Sequence, residues 1–226
     1  MWTESVLAPG GRLDDETWAE AARLGRDPDP LNRLFAADVL LSTVIADGQR
    51  REPVLRDRAR DFVPRAARER HTDVLDVLLN GLTWVGGPEA DAIGLSYVAH
   101  PDPRIRSWVP DPLDGDEGAL HSEGLPAVLT LAGDPDPDVR DRTCFWLSHH
   151  QGSEPEIGDV LQELTHDERQ RTRAYAVAAL AHRDDPRCVE AEHRIGPLDP
   201  GMTTDTLPLL EVWYYQRRQQ DQGDDG

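Results

Sequence analysis

Lysine is absent: every one of the 24 basic residues of this chain is arginine. Cysteine is nearly so. Cys144 and Cys188 are too few for a disulfide framework or a thiolate metal cage. No apolar run approaches the ~18 residues needed to cross a bilayer. The start, Met1-Trp2-Thr3-Glu4-Ser5, has neither the basic residues nor the apolar stretch of a secretory signal. These absences predict a cytoplasmic protein with no membrane segment. Alternating β-branched runs are missing, so strands are not expected. The nucleophile-elbow, phosphate-loop and H-E-x-x-H zinc motifs are missing too. No cofactor, metal or catalytic residue is predicted.

What the chain has is negative charge. Its 226 residues carry 43 acids and a net charge of −19. Residues 1–50 carry −4, residues 51–70 carry +3, and residues 71–226 carry −18. Nucleic-acid binders need cations to displace counterions from phosphates. An acidic surface repels nucleic acid and anionic lipid and draws a basic protein towards it. The one basic stretch runs from Arg50 to Arg70 and includes Arg56, Arg58, Arg60, Arg65 and Arg68. Glu52, Asp57, Asp61 and Glu69 are interspersed, which reads as an exposed helix laced with ion pairs. Arg56, Arg60 and Arg68 fall near one helical face, the only place where a nucleic-acid reading could begin. The expected partner is a basic protein, not a nucleic acid or a membrane.

A word recurs along the chain: an Asp/Pro-rich loop, then a helix with arginine, a small residue three positions later, and leucine seven positions later. The copies read Asp27-Pro-Asp-Pro30 with Arg33, Ala36, Leu40; His100-Pro-Asp-Pro103 with Arg106, Val109, Leu113; and Asp134-Pro-Asp-Pro137 with Arg140, Thr143, Leu147. A fourth reads His166-Asp-Glu168 with Arg173, Ala176, Leu180, and a degenerate one has Leu75, Leu78, Leu82. Asp caps free amides at a helix start, and Pro suits the first helical turn. Positions +3 and +7 share a face, where the small residue admits a neighbouring helix and leucine fills the next turn. Each copy follows another helical stretch, such as Leu125–Leu131 or Ile157–Leu164. The unit is therefore two helices of about 12 residues with a short turn. Such units stack into an α-solenoid.

The word resembles the HEAT repeat, in the bacterial form called PBS-lyase HEAT-like, and Leu125–Val189 carries it best. Weaker copies reach back to about residue 14. The resemblance implies an all-α solenoid of about five or six two-helix repeats, forming one domain over residues 1–219. Residues 1–13 are an irregular start. Pro110 and Pro112 cut the helix begun at Ile105 and lead into an acidic loop over 110–124. A helix over 206–219, with Leu207, Leu210 and Tyr214 on one side, caps the end, and 220–226 form a loose acidic tail. In such arrays the second helices usually line a concave binding face. The resemblance thus implies a non-catalytic protein-binding scaffold, with an inhibitor, immunity protein or adaptor for a basic partner as concrete versions. The competing expectation is a HEAT-like enzyme, of lyase or DNA-glycosylase type, with an unrecognised site on that face. This chain contains no His-Glu dipeptide of the kind that holds iron in certain HEAT-like enzymes.

The candidate partner-binding residues are Trp108, Asp111, Asp114, Asp116 and Glu117 around the acidic loop, with Asp141 and His149 on the best copy. Arg33, Arg106, Arg140 and Arg173 are assigned a structural role, tying neighbouring copies through loop acids. His100 and His166 read as loop or capping residues, and His149-His150 as a helix end. Both cysteines read as small buried hydrophobes.

Overall fold

The computed structural model describes residues 15–47, 60–113, 123–150, 154–197, 211–217 and 219. They are all helix, turn and loop, with no strand among the described residues. The helices are α1 (Asp15–Leu24), α2 (Pro30–Asp47), α3 (Phe62–Ala66), α4 (Thr72–Leu82), α5 (Pro88–Leu95) and α6 (Pro103–Arg106). A 3-10 turn at Asp111–Leu113 follows. Then come α7 (Gly124–Ala132), α8 (Pro137–His149), α9 (Pro155–Leu164), α10 (Gln170–His182), α11 (Arg187–Ala191) and α12 (211–217). The chain divides into two compact units, Met1–Gly115 and Asp116–Gly226. The boundary falls in the predicted acidic loop, of which residues 114–122 lie outside the described residues.

Within each unit the packing alternates. In the first, α1 packs on α2, α2 on α4 and α4 on α6, while α3 packs on α4 and α5. In the second, α7 packs on α8, α8 on α10 and α9 on both α7 and α10. Within each unit, members of the second-helix series therefore lie against one another.

The repeated word explains this. The small and leucine positions are all sealed: Ala36, Leu40, Leu78, Leu82, Val109, Leu113, Thr143, Leu147, Ala176 and Leu180 are buried. Val109 and Leu113 keep this burial even though α6 ends at Arg106, so the interrupted copy loses its helix but not its register. The Asp/Pro loops start the helices as expected. The carboxylates of Asp29, Asp102 and Asp136 accept from the amides of Leu31, Arg104 and Asp138, each at 2.9 Å. The residue two places earlier caps as well. Asp27, Asp134 and Asp167 accept the amides of Asp29, Asp136 and Arg169 at 2.8–2.9 Å. His100 does the same with its ring Nδ1, at 3.1 Å from the Asp102 amide.

The repeat arginines clasp these loops. Nη1 of Arg33 donates to the carbonyls of Asp27 and Pro28, both at 2.9 Å. Nη1 of Arg106 takes His100 and Pro101, that of Arg140 takes Asp134 and Pro135, and that of Arg173 takes Asp167 and Glu168. The guanidinium's other edge reaches forward along the chain. Arg33 bonds both oxygens of Glu69 at 2.9 and 3.0 Å. Arg140 bonds Asp167 at 2.7 Å and Glu168 at 3.1 Å. Arg173 bonds the carbonyls of Arg194 and Ile195 at 2.8 and 3.4 Å. One planar group thus fastens its own loop and the next one, a task suited to arginine's fixed fork of five donors.

Three expectations change. The described part of the basic stretch is the five-residue α3 followed by a turn, because Pro64 and the buried ends Phe62 and Ala66 close a short element. Glu69 is not on an exposed helix; it is buried and stands six residues before Leu75, where the loop acid of that copy belongs. The face of α12 is set by Val212 and Tyr215, which are buried, while Tyr214 is exposed. Leu207 and Leu210 lie outside the described residues, as do Arg56 and Arg58.

Candidate functional site

α8 and α10 of the second unit pack side by side and bring solvent-facing side chains together. Residues Asp138, Phe145 and His149 fall near one stripe of α8, and Arg171, Tyr175 and His182 near one stripe of α10. The stripes touch: the Phe145 and Tyr175 rings meet edge to face, 5.2 Å between centroids. The His149 ring lies 4.5 Å from Phe145, and its Nδ1 is 2.9 Å from the Phe145 carbonyl. Phe145 remains 38% exposed. Beyond it, Trp213 and Tyr214 on α12 are exposed, packed edge to face, and Arg217 lies 5.3 Å from the Trp213 ring.

Polar side chains frame the aromatic pair. Arg171 donates from Nε and Nη2 to one oxygen of Asp141, while the Thr172 hydroxyl donates to the other at 3.2 Å. That bond to Asp141 holds the Arg171 guanidinium above the usual arginine range. Arg169 and Asp138 form an exposed bridge at 2.5 Å. His182 Nδ1 sits 3.5 Å from Glu211 at the start of α12.

The predicted site residues take different places in the structure. His149 is exposed on this face, at the end of α8. Asp141 faces inward: it is only 3% exposed and serves the α8–α10 contact, so it is a structural residue rather than a partner-facing one. The reason is its place one residue after Arg140, which turns it towards the next second helix. Trp108 is half-buried against the first unit's core, and its indole Nε1 donates to Asp76 at 2.7 Å. Asp111 opens the 3-10 turn. Asp114, Asp116 and Glu117 lie outside the described residues. The four repeat arginines hold the loops as described above.

Phe145 and Tyr175 were missed by sequence reasoning, although a signal was available. Counted from the repeat arginine, Phe35, Trp108 and Tyr175 all stand at +2. A position that is repeatedly aromatic is legible once the copies are aligned; it points to Tyr175 but not to Phe145, which stands at +5 from Arg140.

Reactive groups are shielded. Burial pushes the Cys144 thiol well above its ordinary range, and its sulfur points at the Thr172 carbonyl, 3.4 Å away. Burial likewise lifts the Cys188 thiol to about 11. Among the described residues no group of three or more His, Cys, Asp or Glu side chains could hold a metal ion. Nor, among them, is any helix long and apolar enough to cross a membrane.

No protein-family model matches this chain, and no curated protein matches its sequence. Among solved structures, the chain is similar to an engineered protein from the Northeast Structural Genomics Consortium. The identity is 15% and the TM-score 0.57, over 87% of this chain and 93% of that one. The Escherichia coli protein YibA aligns at 17% identity over 90% of this chain and 87% of its own, but its TM-score of 0.36 is too low to compare folds. The likeness to the engineered protein is one of fold alone.

Proposed function

We propose that this protein is a non-catalytic, HEAT-like helical array that binds a basic protein, as an inhibitor, immunity protein or adaptor. The observation that carries the reading is the cluster of exposed Phe145 and His149 with half-buried Tyr175 on paired second helices. Aromatic anchors in the middle of a polar surface are where binding energy concentrates, and their faces attract arginine and lysine of a partner. The charge supports the same choice. The arginines that clasp the loops are spent on carbonyls and acids of their own chain. The surplus acids of a −19 protein are left to set the outer field.

The test is affinity capture from native lysate with elution along a salt gradient, repeated with Phe145→Ser and Tyr175→Ser together. One basic protein should elute as salt rises, and the double variant should weaken its retention at least tenfold, the scale of one lost anchor. Retention indifferent to both salt and the double substitution would sink the reading.

A further inference from the structure

A recess of about 450 Å³ opens in the first unit, between the end of α1 and the segment from α3 to α4. Five arginines line it: Arg26, Arg33, Arg65, Arg68 and Arg70. Three acids face them, Asp27, Asp61 and Glu69. Glu69 is fully engaged, bonding Arg33 through both oxygens and the amides of Arg70 and His71 through one of them. Asp27 already caps the Asp29 amide. The recess therefore keeps a cationic surplus inside a chain whose net charge is −19.

Arg65 is the odd group. Its Nη1 is shut off from solvent and has no hydrogen-bond partner. A buried donor left unmatched is costly, and a charged one more so. Burial pushes the guanidinium below the usual arginine range; Asp61 opposes this, and Arg26 adds to it. The guanidinium is seated against Gly25. A Cβ at Gly25 would stand 2.6 Å from the Arg65 Cζ and 2.9 Å from its Nη2. An alanine there would push the guanidinium from its seat. Val74 and Leu78, both sealed in the first unit's core, form its floor.

We propose that this recess binds a small phosphate monoester, with the part of the Arg65 guanidinium that lines the recess contacting the phosphate, Arg26, Arg68 and Arg70 supplying the surrounding potential, and the remaining volume receiving the organic part. Arginine's fork matches two phosphate oxygens at once. The volume exceeds what a bare phosphate ion fills and falls in the ordinary range for small-molecule sites. The site lies in the other unit from the aromatic cluster, so this inference stands or falls independently of the partner reading.

The experiment is calorimetric titration of the full chain with inorganic phosphate and, separately, phenyl phosphate, alongside melting curves. Arg65→Met and Gly25→Ala are the variants, with the exposed Arg104→Ala as control. Wild type and Arg104→Ala should bind phenyl phosphate, more tightly than inorganic phosphate. Both site variants should lose about tenfold or more in affinity, the scale of one charge-assisted bond. Arg65→Met without ligand should melt no lower than wild type, because it removes an unmatched buried cation. A purely structural Arg65 would instead lower the melting point. Equal binding by wild type and Arg65→Met overturns the proposal, as does no binding of either probe at millimolar concentration. Equal affinity for the two probes overturns the monoester assignment.

Discussion

The clasp made by Arg140 offers the sharpest test of how the copies are held. Its side chain is 17% exposed and that of Asp167 only 5%, so the pair is largely desolvated. Asp167 does two jobs at once. One oxygen accepts the Arg169 amide at 2.8 Å and the other accepts Arg140 at 2.7 Å. Arg140→Met keeps much of the apolar stem but removes the cation. It strands one buried carboxylate oxygen and two loop carbonyls, which should cost about 3–5 kcal/mol. Asp167→Asn keeps an oxygen for the cap and loses the charge, at about 1–3 kcal/mol. With the carboxylate gone, losing Arg140 matters less, so the double variant should fall short of additivity by about 2 kcal/mol. The Glu168 arm adds little, since that carboxylate is 72% exposed. Urea unfolding of wild type, both single variants and the double variant measures the coupling. The same cycle on the exposed Arg169–Asp138 bridge should give below about 0.5 kcal/mol. A coupling for Arg140–Asp167 no larger than that would refute the idea that the clasp joins the copies.

Other outcomes follow from the same geometry. Glu69 is pushed up by burial but pulled further down by Arg33 and the amides of His71 and Arg70, from 4.5 to about 2. A depressed carboxylate stabilises fully above its unfolded pKa, so about 3 kcal/mol should drain away as pH falls from 4.5 towards 2. Glu69→Gln should flatten that limb of the acid-unfolding curve, and an unchanged limb would contradict the assignment. At Gly81 an added Cβ would sit 2.7 Å from Cγ of the fully buried Phe62. Gly81→Ala should therefore cost about 1–3 kcal/mol in thermal unfolding, and a neutral result would mean that α3 shifts freely. Cys144 and Cys188 should react with a thiol reagent only as the protein unfolds; labelling of the native protein at the rate of a free thiol would show that burial does not hold them.

Much of the fold was legible because the repeated word states its own physics. Asp and Pro announce a helix start, and the +3 and +7 positions announce the buried face. The buried face holds at every described copy, including the one that Pro110 interrupts, and the capped Asp/Pro start holds at the three copies that carry it. The clasping role of the arginines was legible too, since a basic residue recurring beside loop acids has little else to do. The partners were harder. Glu69 pairs with an arginine 36 residues earlier, and nothing within its own basic neighbourhood points there. Its signal was its place in the alignment of copies. Asp141 was misread because its neighbour Arg140 suggested an exposed flank, whereas the next second helix covers it. The Arg65 recess was illegible for a different reason: the seat is a glycine 40 residues away, and an absent side chain leaves no mark in a charge count. The aromatic cluster needs two helices side by side, which spacing along one helix does not reveal.

The described clasps all point one way. Arg33, Arg140 and Arg173 reach towards later residues. Cutting such a chain from its end leaves an arginine still holding its own loop, with its free edge in water. Cutting from its beginning strands the acid instead, Glu69 or Asp167, inside a folded interface with no cation. The two kinds of truncation are therefore not equivalent. A chain growing from its N-terminus always meets the tolerable case first, because each new copy arrives to find its cation already in place.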